Sequence, residues 1–217
     1  MIEFEKVHFS HGHQKIFSNL SFVLERGKYV VISGPARSGK TTLIQLIIGQ
    51  YEPDGGEIYV IGEAMSEVKS SPRRLREWRR KIGGVGGIYS LLADRTVLEN
   101  VALSAEIAGY SPHAARKSAL EACGKYRLGP VLSHYPSIIS EVERRAALLA
   151  RVEASHKNFI IVDGPTDGLD AKSARFINER LAALRLSGIT ILYLTTGEGP
   201  QSGPDTYLKI RGGALNI

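Results

Sequence analysis

The octapeptide Gly34-Pro35-Ala36-Arg37-Ser38-Gly39-Lys40-Thr41 leaves this chain few folds to choose from. It follows the apolar run Tyr29-Val30-Val31-Ile32 and precedes a helix-periodic stretch from about Lys40 to Ile48, so it joins a buried strand to a helix. A GxxxxGK[ST] pattern in that setting has a geometric meaning. Backbone N–H groups of the loop and of the helix N-terminus converge on phosphate oxygens, the lysine reaches the outer phosphates, and the hydroxyl after it ligates Mg²⁺. The expected nucleotide contacts are Gly34, Pro35, Ala36, Arg37, Ser38, Gly39, Lys40, Thr41 and Thr42.

The rest of the chain supplies what such a loop needs. Ile2, Phe4 and Val7, then Leu20, Phe22 and Leu24, give half-buried strands, and Asp54-Gly55-Gly56 turns into a strand at Glu57 to Val60. From about Thr96 to Ser155 the pattern turns helical, with segments at Thr96 to Ala108, Pro112 to Tyr126 and Glu141 to Ala154. Strands return at Phe159 to Val162 and Thr190 to Leu194, around a helix from Ala171 to Ser187 that Asp170 caps and Gly188 ends. The class is therefore α/β. Asp163 closes the apolar run Phe159 to Val162 at the strand end where open α/β sheets bind ligands, and is the expected second Mg²⁺ ligand beside Thr41.

At 217 residues the chain suits one domain, with a core at about 1–90 and 156–217 and a helical insertion at about 91–155. The single cysteine, Cys123, excludes an intrachain disulfide. The N-terminus lacks a signal-peptide pattern and no apolar run approaches membrane-spanning length, so a membrane role is expected to come through a partner. The net charge of +6 favours anionic neighbours without choosing among them.

Three segments together resemble the ABC transporter ATPase family: Gly34 to Thr42, Asp94-Arg95-Thr96-Val97-Leu98-Glu99-Asn100-Val101, and Asp163-Gly164-Pro165-Thr166-Asp167-Gly168-Leu169-Asp170. Within it the chain is most similar to the cell-division and lipoprotein-export branch typified by FtsE and LolD. The resemblance implies a P-loop NTPase fold: a RecA-like core sheet, an N-terminal antiparallel β subdomain and an inserted helical subdomain. It also implies Mg-ATP as ligand, a homo- or heterodimer of ATP-binding domains, an integral membrane subunit as partner, and a peripheral place on the cytoplasmic face of the membrane.

The departures from the family pattern bear on catalysis. The glutamate that follows the Walker B aspartate in the family, and polarises the attacking water, is Gly164 here. The switch histidine falls at Thr196 and the Q-loop glutamine at about Gly87. The aromatic that stacks on adenine falls at His11. The signature becomes Ile139-Ser140-Glu141-Val142-Glu143, in which Ser140 and Glu143 form a capping-box pattern while Glu141 and Val142 replace two glycines. A carboxylate about 5 Å from a γ-phosphate charge costs roughly 3 kcal/mol at an effective dielectric near 20. Nucleotide binding without efficient hydrolysis is the function expected, the alternative being a non-enzymatic scaffold that keeps the loop for stability.

The cluster Arg73-Arg74-Leu75-Arg76-Glu77-Trp78-Arg79-Arg80-Lys81 is expected to be a solvated amphipathic helix. The sharper expectation is contact between its arginines and Trp78 and anionic lipid or acidic partner residues. Arg144, Arg145 and Arg151 are expected to be solvated or interdomain charges. No lid or acceptor site suggests a nucleotide kinase, and nucleic acid is disfavoured because no long heptad stretch interrupts the chain.

Overall fold

In the computed structural model, which describes residues 2–216, the parallel strands are built from the apolar runs. A six-stranded sheet has the order β10 (Ala214–Asn216), β9 (Thr206–Arg211), β3 (Tyr29–Ser33), β8 (Thr190–Thr195), β7 (Phe159–Asp163), β6 (Ile82–Gly86). All its pairings are parallel except β9 with β10. A second, antiparallel sheet has the order β2 (Gln14–Leu24), β1 (Ile2–His11), β4 (Gly55–Val60), β5 (Glu63–Ala64).

The helices are α1 (Lys40–Ile47), α2 (Met65–Val68), α3 (Pro72–Lys81), α4 (Val97–Ile107), α5 (Pro112–Lys125), α6 (Glu141–Ala154) and α7 (Ala171–Leu186). One apolar cluster lies between the six-stranded sheet and α4 to α7, and a second lies between that sheet, α1 and the antiparallel sheet. Every residue of β8 and the first four of β3 and β7 are buried, as strands covered on both faces must be. Cys123 lies in the first cluster at 1% exposure, and burial pushes its thiol up to about 11.

Phe4 and Val7, three apart, both face inward although strict alternation would separate them. A register shift with Lys6 at φ 48° resolves the conflict, and a second shift between Val7 and Phe9 has Asn19 of β2 at φ 60° across from His8, between the inward Phe17 and Leu20. The Ser140–Glu143 capping box and the Asp170 cap fall where the sequence puts them, the Asp170 carboxylate accepting from the N–H groups of Lys172 and Ser173, and Thr96 with Glu99 adds a second full capping box. The sequence gives no sign of β9 and β10.

Three cationic residues of α3 end the helix, as its dipole favours. Trp78 corrects one expectation. It is 2% exposed and its indole N–H donates to the Ile47 carbonyl at 2.8 Å, so it ties α3 to α1 rather than facing a partner.

Asp205 fastens the edge of the sheet. Its carboxylate accepts from the Tyr29 N–H at 2.8 Å and from both Nε and Nη2 of Arg185 at 3.0 Å. Those bonds hold its pKa at about 2, below the usual 3.8. A depressed carboxylate contributes stability above the unfolded pKa and loses it as pH falls through the folded value. Asp205→Asn should therefore cost about 1 kcal/mol at neutral pH, after allowance for solvent screening. In urea unfolding the gap to wild type should narrow between about pH 4 and pH 2.

Candidate functional site

The parallel register sets Ser33, Gly86, Asp163 and Thr195 at one end of four adjacent strands. The segments that leave them carry Gly34 to Thr41, Gly87, Gly164 and Thr196, so the topology gathers the expected nucleotide and catalytic positions at the carboxyl edge of the sheet.

The loop is closed by its own lysine. Lys40, 8% exposed at the start of α1, donates from Nζ to the carbonyls of Gly34 at 2.7 Å and Pro35 at 2.8 Å, and to Ser38 Oγ at 3.2 Å. The Gly34 N–H donates to the Thr195 carbonyl at 3.1 Å, fixing the loop to β8. Arg37 sits at φ 64° with an exposed side chain, a conformation that a glycine adopts without strain. Thr41 is exposed on the first turn of α1.

Asp163 is the acidic counterpart. Burial pushes its pKa up, Lys40 and Arg145 hold it down, and Asp167 raises it further. Burial likewise lowers the Lys40 pKa, against the pull of Asp163. A hydroxyl and a carboxylate at the edge of a phosphate loop are hard oxygen donors of the kind Mg²⁺ takes alongside substrate phosphates, so the donor set fits that ion.

Around Asp163 there is little free volume. A Cβ on Gly87 would lie 2.1 Å from Asp163 Oδ2, and one on Gly86 would lie 2.2 Å from the Asp163 carbonyl and 2.8 Å from Arg145 Nη1. Of the two expectations for Arg145, a solvated or an interdomain charge, the second describes it. Its side chain is 18% exposed, its guanidinium lies beside Gly86 and Asp163, and its Nε approaches Glu141 Oε1 to 2.9 Å as an ion pair without hydrogen-bond alignment. Glu141 also pairs with Arg144 Nε at 3.1 Å, so its charge is largely compensated within α6. Ser140 is spent on the cap: it accepts from the Glu143 N–H at 3.4 Å, while Glu143 Oε2 accepts from the Ser140 N–H at 2.7 Å.

Gly164 donates its N–H to the Leu194 carbonyl at 2.8 Å with φ at 56°, and a Cβ there would meet Asp167 Oδ2 at 2.7 Å. Thr196 is exposed just beyond β8, where the buried Thr195 accepts the Gly197 N–H at 3.0 Å. His11 packs edge-on against Phe9 and Tyr51, with centroids 4.9 and 5.1 Å away, at the end of the β1–β2 hairpin. The same hairpin touches the phosphate loop through Ile16 and Phe17, against which a Cβ on Gly39 would lie at 2.9 Å. Sequence reasoning missed Tyr51 and the Arg145 contact. Both are tertiary contacts, and nothing local to either residue announces them.

With this geometry in place, the relatives are informative. The family model described as ABC transporter matches residues 17–167. An uncharacterised ABC transporter ATP-binding protein of Methanocaldococcus jannaschii is 31% identical, over 91% of this chain and 88% of that protein. The lipoprotein-releasing system ATP-binding protein LolD of Bacteroides thetaiotaomicron is 32% identical, over 92% of this chain and 91% of that protein. Among solved structures, the ATP-binding cassette MJ0796, a dimer bound to ADP and Pi in a post-hydrolysis state, superposes with a TM-score of 0.88 at 26% identity, covering 100% of this chain and 97% of that one.

The φ of Gly164 makes a direct prediction. Gly164→Glu places a side chain in left-handed backbone, which costs roughly 1–2 kcal/mol, and brings a third carboxylate beside Asp163 and Asp167. Chemical denaturation should show a loss of at least about 1 kcal/mol. An unchanged midpoint would mean that this backbone is not held as described.

Proposed function

Because this chain belongs to the ABC transporter family, we propose that it is an ATP-binding subunit that works by nucleotide binding and dimerisation, with hydrolysis weak or absent. The observation that carries the reading is Gly164. The position after Asp163 has no side chain and its backbone is left-handed.

Lys40, the loop amides and Thr41 would hold the phosphates of ATP, and Asp163 with Thr41 would hold Mg²⁺. The ion, when bound, neutralises phosphate charge. On this reading Lys40 leaves the Gly34 and Pro35 carbonyls for the nucleotide, exchanging two neutral acceptors for a charged one. His11, with Phe9 and Tyr51 behind it, would present an aromatic surface to the base.

The dimer of MJ0796 supports assembly of two such subunits face to face, of this chain or of this chain with a related one. In a composite site the phosphate loop and Asp163 come from one subunit and the signature from the other. A partner's intact signature would leave Gly164 and Thr196 unchanged at this chain's loop. In the opposite site this chain would offer Ser140, already engaged in its cap, and Glu141. Losing a general base alone typically forfeits 10²–10⁴ in rate, about 3–5 kcal/mol of barrier.

The membrane subunit is proposed to dock between Gly84 and Val101 and on the adjoining helices of the insertion at about 91–155. No helix among the described residues is long and apolar enough to cross a membrane, so the chain would act as a peripheral subunit on the cytoplasmic face. LolD among the relatives supports the lipoprotein-export side of the resemblance. The FtsE side rests on the sequence alone.

Two measurements test this. Calorimetry should detect Mg-ATP binding that Lys40→Ala weakens at least tenfold, about 1.4 kcal/mol, and unchanged affinity would refute the site. Purified protein should hydrolyse ATP well below about 1 s⁻¹, the low end of ordinary enzyme turnover, and Gly164→Glu should not rescue it. Turnover at or above that rate, abolished by Lys40→Ala, would overturn the impairment.

A further inference from the structure

Position 164 has no side chain, and another residue of the same segment covers the space. Gly164 to Asp167 form a reverse turn with Pro165 at its second position, closed by the Asp167 N–H donating to the Gly164 carbonyl at 3.2 Å. The turn is anchored to β8 twice. The Gly164 N–H donates to the Leu194 carbonyl at 2.8 Å, and the Thr166 hydroxyl shares a 3.0 Å hydrogen bond with the phenol of the fully buried Tyr193. Closure brings the Asp167 carboxylate back over Gly164, with Oδ2 2.7 Å from where a Cβ on that residue would stand. Residue 164 carries no carboxylate of its own and lies under that of residue 167.

Asp167 differs from the neighbouring acids in having no counter-charge. Asp163 faces Lys40 and Arg145, Glu141 pairs with Arg144 and Arg145, and Asp170 is spent on the first N–H groups of α7. Asp167 is exposed and forms no ion pair among the described residues. Its charge still reaches the site, where it acts on both Lys40 and Asp163. The carboxyl edge therefore holds two carboxylates near the phosphate loop, one compensated and one not.

An uncompensated carboxylate repels a polyphosphate that arrives without a metal ion, because both carry negative charge. A divalent cation bound with the phosphates reverses the sign, since it is the largest local charge in such a site. We propose that Asp167 makes nucleotide binding at Gly34 to Thr42 depend on the divalent cation, its carboxylate over Gly164 disfavouring free ATP and favouring Mg-ATP. The inference rests on the nucleotide-site reading above and adds to it one residue and a metal requirement. A carboxylate suits Mg²⁺ either as a direct oxygen donor or through the waters that this ion keeps. The effect is on binding and requires no hydrolysis.

Displacement of a fluorescent ATP analogue from the full chain, once in EDTA and once in excess Mg²⁺, gives the two affinities. Asp167→Asn removes the charge and keeps the shape. It should tighten metal-free ATP about threefold or more and weaken Mg-ATP about threefold or more, so that the preference for the metal complex falls roughly tenfold. Shifts of opposite sign mark a charge effect, because a merely structural defect would weaken both. Asp167→Glu keeps the charge and should hold the preference within about threefold of wild type. Thermal unfolding of each variant checks that the fold survives.

Two affinities that move together in Asp167→Asn, or that do not move, overturn the proposal. So does loss of the preference in Asp167→Glu, which would make fit rather than charge the cause. A change confined to self-association, with the preference intact, would assign Asp167 to a subunit interface and overturn it as well. Lys40→Ala separates the two layers. If it weakens both forms of ATP while Asp167→Asn leaves their ratio unchanged, this inference alone fails, whereas no effect of Lys40→Ala on either affinity sinks the nucleotide site too.

Discussion

Asp163 is a carboxylate taken partly out of water at the end of a buried strand, and the carboxyl edge of the sheet is arranged around making that tolerable. Lys40 faces it from the phosphate loop and Arg145 from α6, so two cations offset one acid that burial would otherwise neutralise. Removing one partner from such a group costs more than the pair contributes, because the charge left behind has lost its water as well. The close approach of Gly86 and Gly87 follows from the same arrangement. The backbone of β6 packs where side chains would stand, and the Arg145 guanidinium occupies the room that Gly86 leaves. The lack of a side chain at position 87 and the dense packing against Asp163 are therefore one structural fact.

What the sequence makes legible is what local chemistry specifies. The phosphate loop, the apolar run ending at Asp163, the capping box at Ser140 and Glu143, and the helix limits at Asp170 and Gly188 each depend on residues within a few positions of one another. β6 is different. Gly83-Gly84-Val85-Gly86 reads locally as a turn, and it becomes a strand through pairing with β7 and because Val152, Ile160 and the Tyr89 ring fill the space over its bare backbone. Trp78 misleads for a related reason: arginines on both sides suggest an interface, but helical periodicity turns the indole inward to Ile47. The aromatic group of Phe9, His11 and Tyr51 joins residues forty positions apart in sequence, which no local pattern encodes.

One helix runs from the carboxyl edge of the sheet toward its opposite edge. α6 begins at the Ser140 cap, places Arg145 beside Asp163, and carries Arg151, which donates to the Ser90 carbonyl. From residue 140 to 151 a straight helix rises about 16 Å. Its buried face, Ala146 to Ala150 with Val152, packs against β6 and α4.

The lone cysteine has a practical meaning beyond its place in the core. Cys123 is enclosed by its neighbours, and at neutral pH its thiol is overwhelmingly protonated, so it offers neither access nor thiolate to an alkylating reagent. The folded chain is in effect chemically silent toward maleimides. A cysteine introduced at any exposed position would carry a fluorophore or spin label alone, with no need to remove the native one and disturb the packing of α5. Conversely, labelling of Cys123 itself would report that the helical cluster has opened.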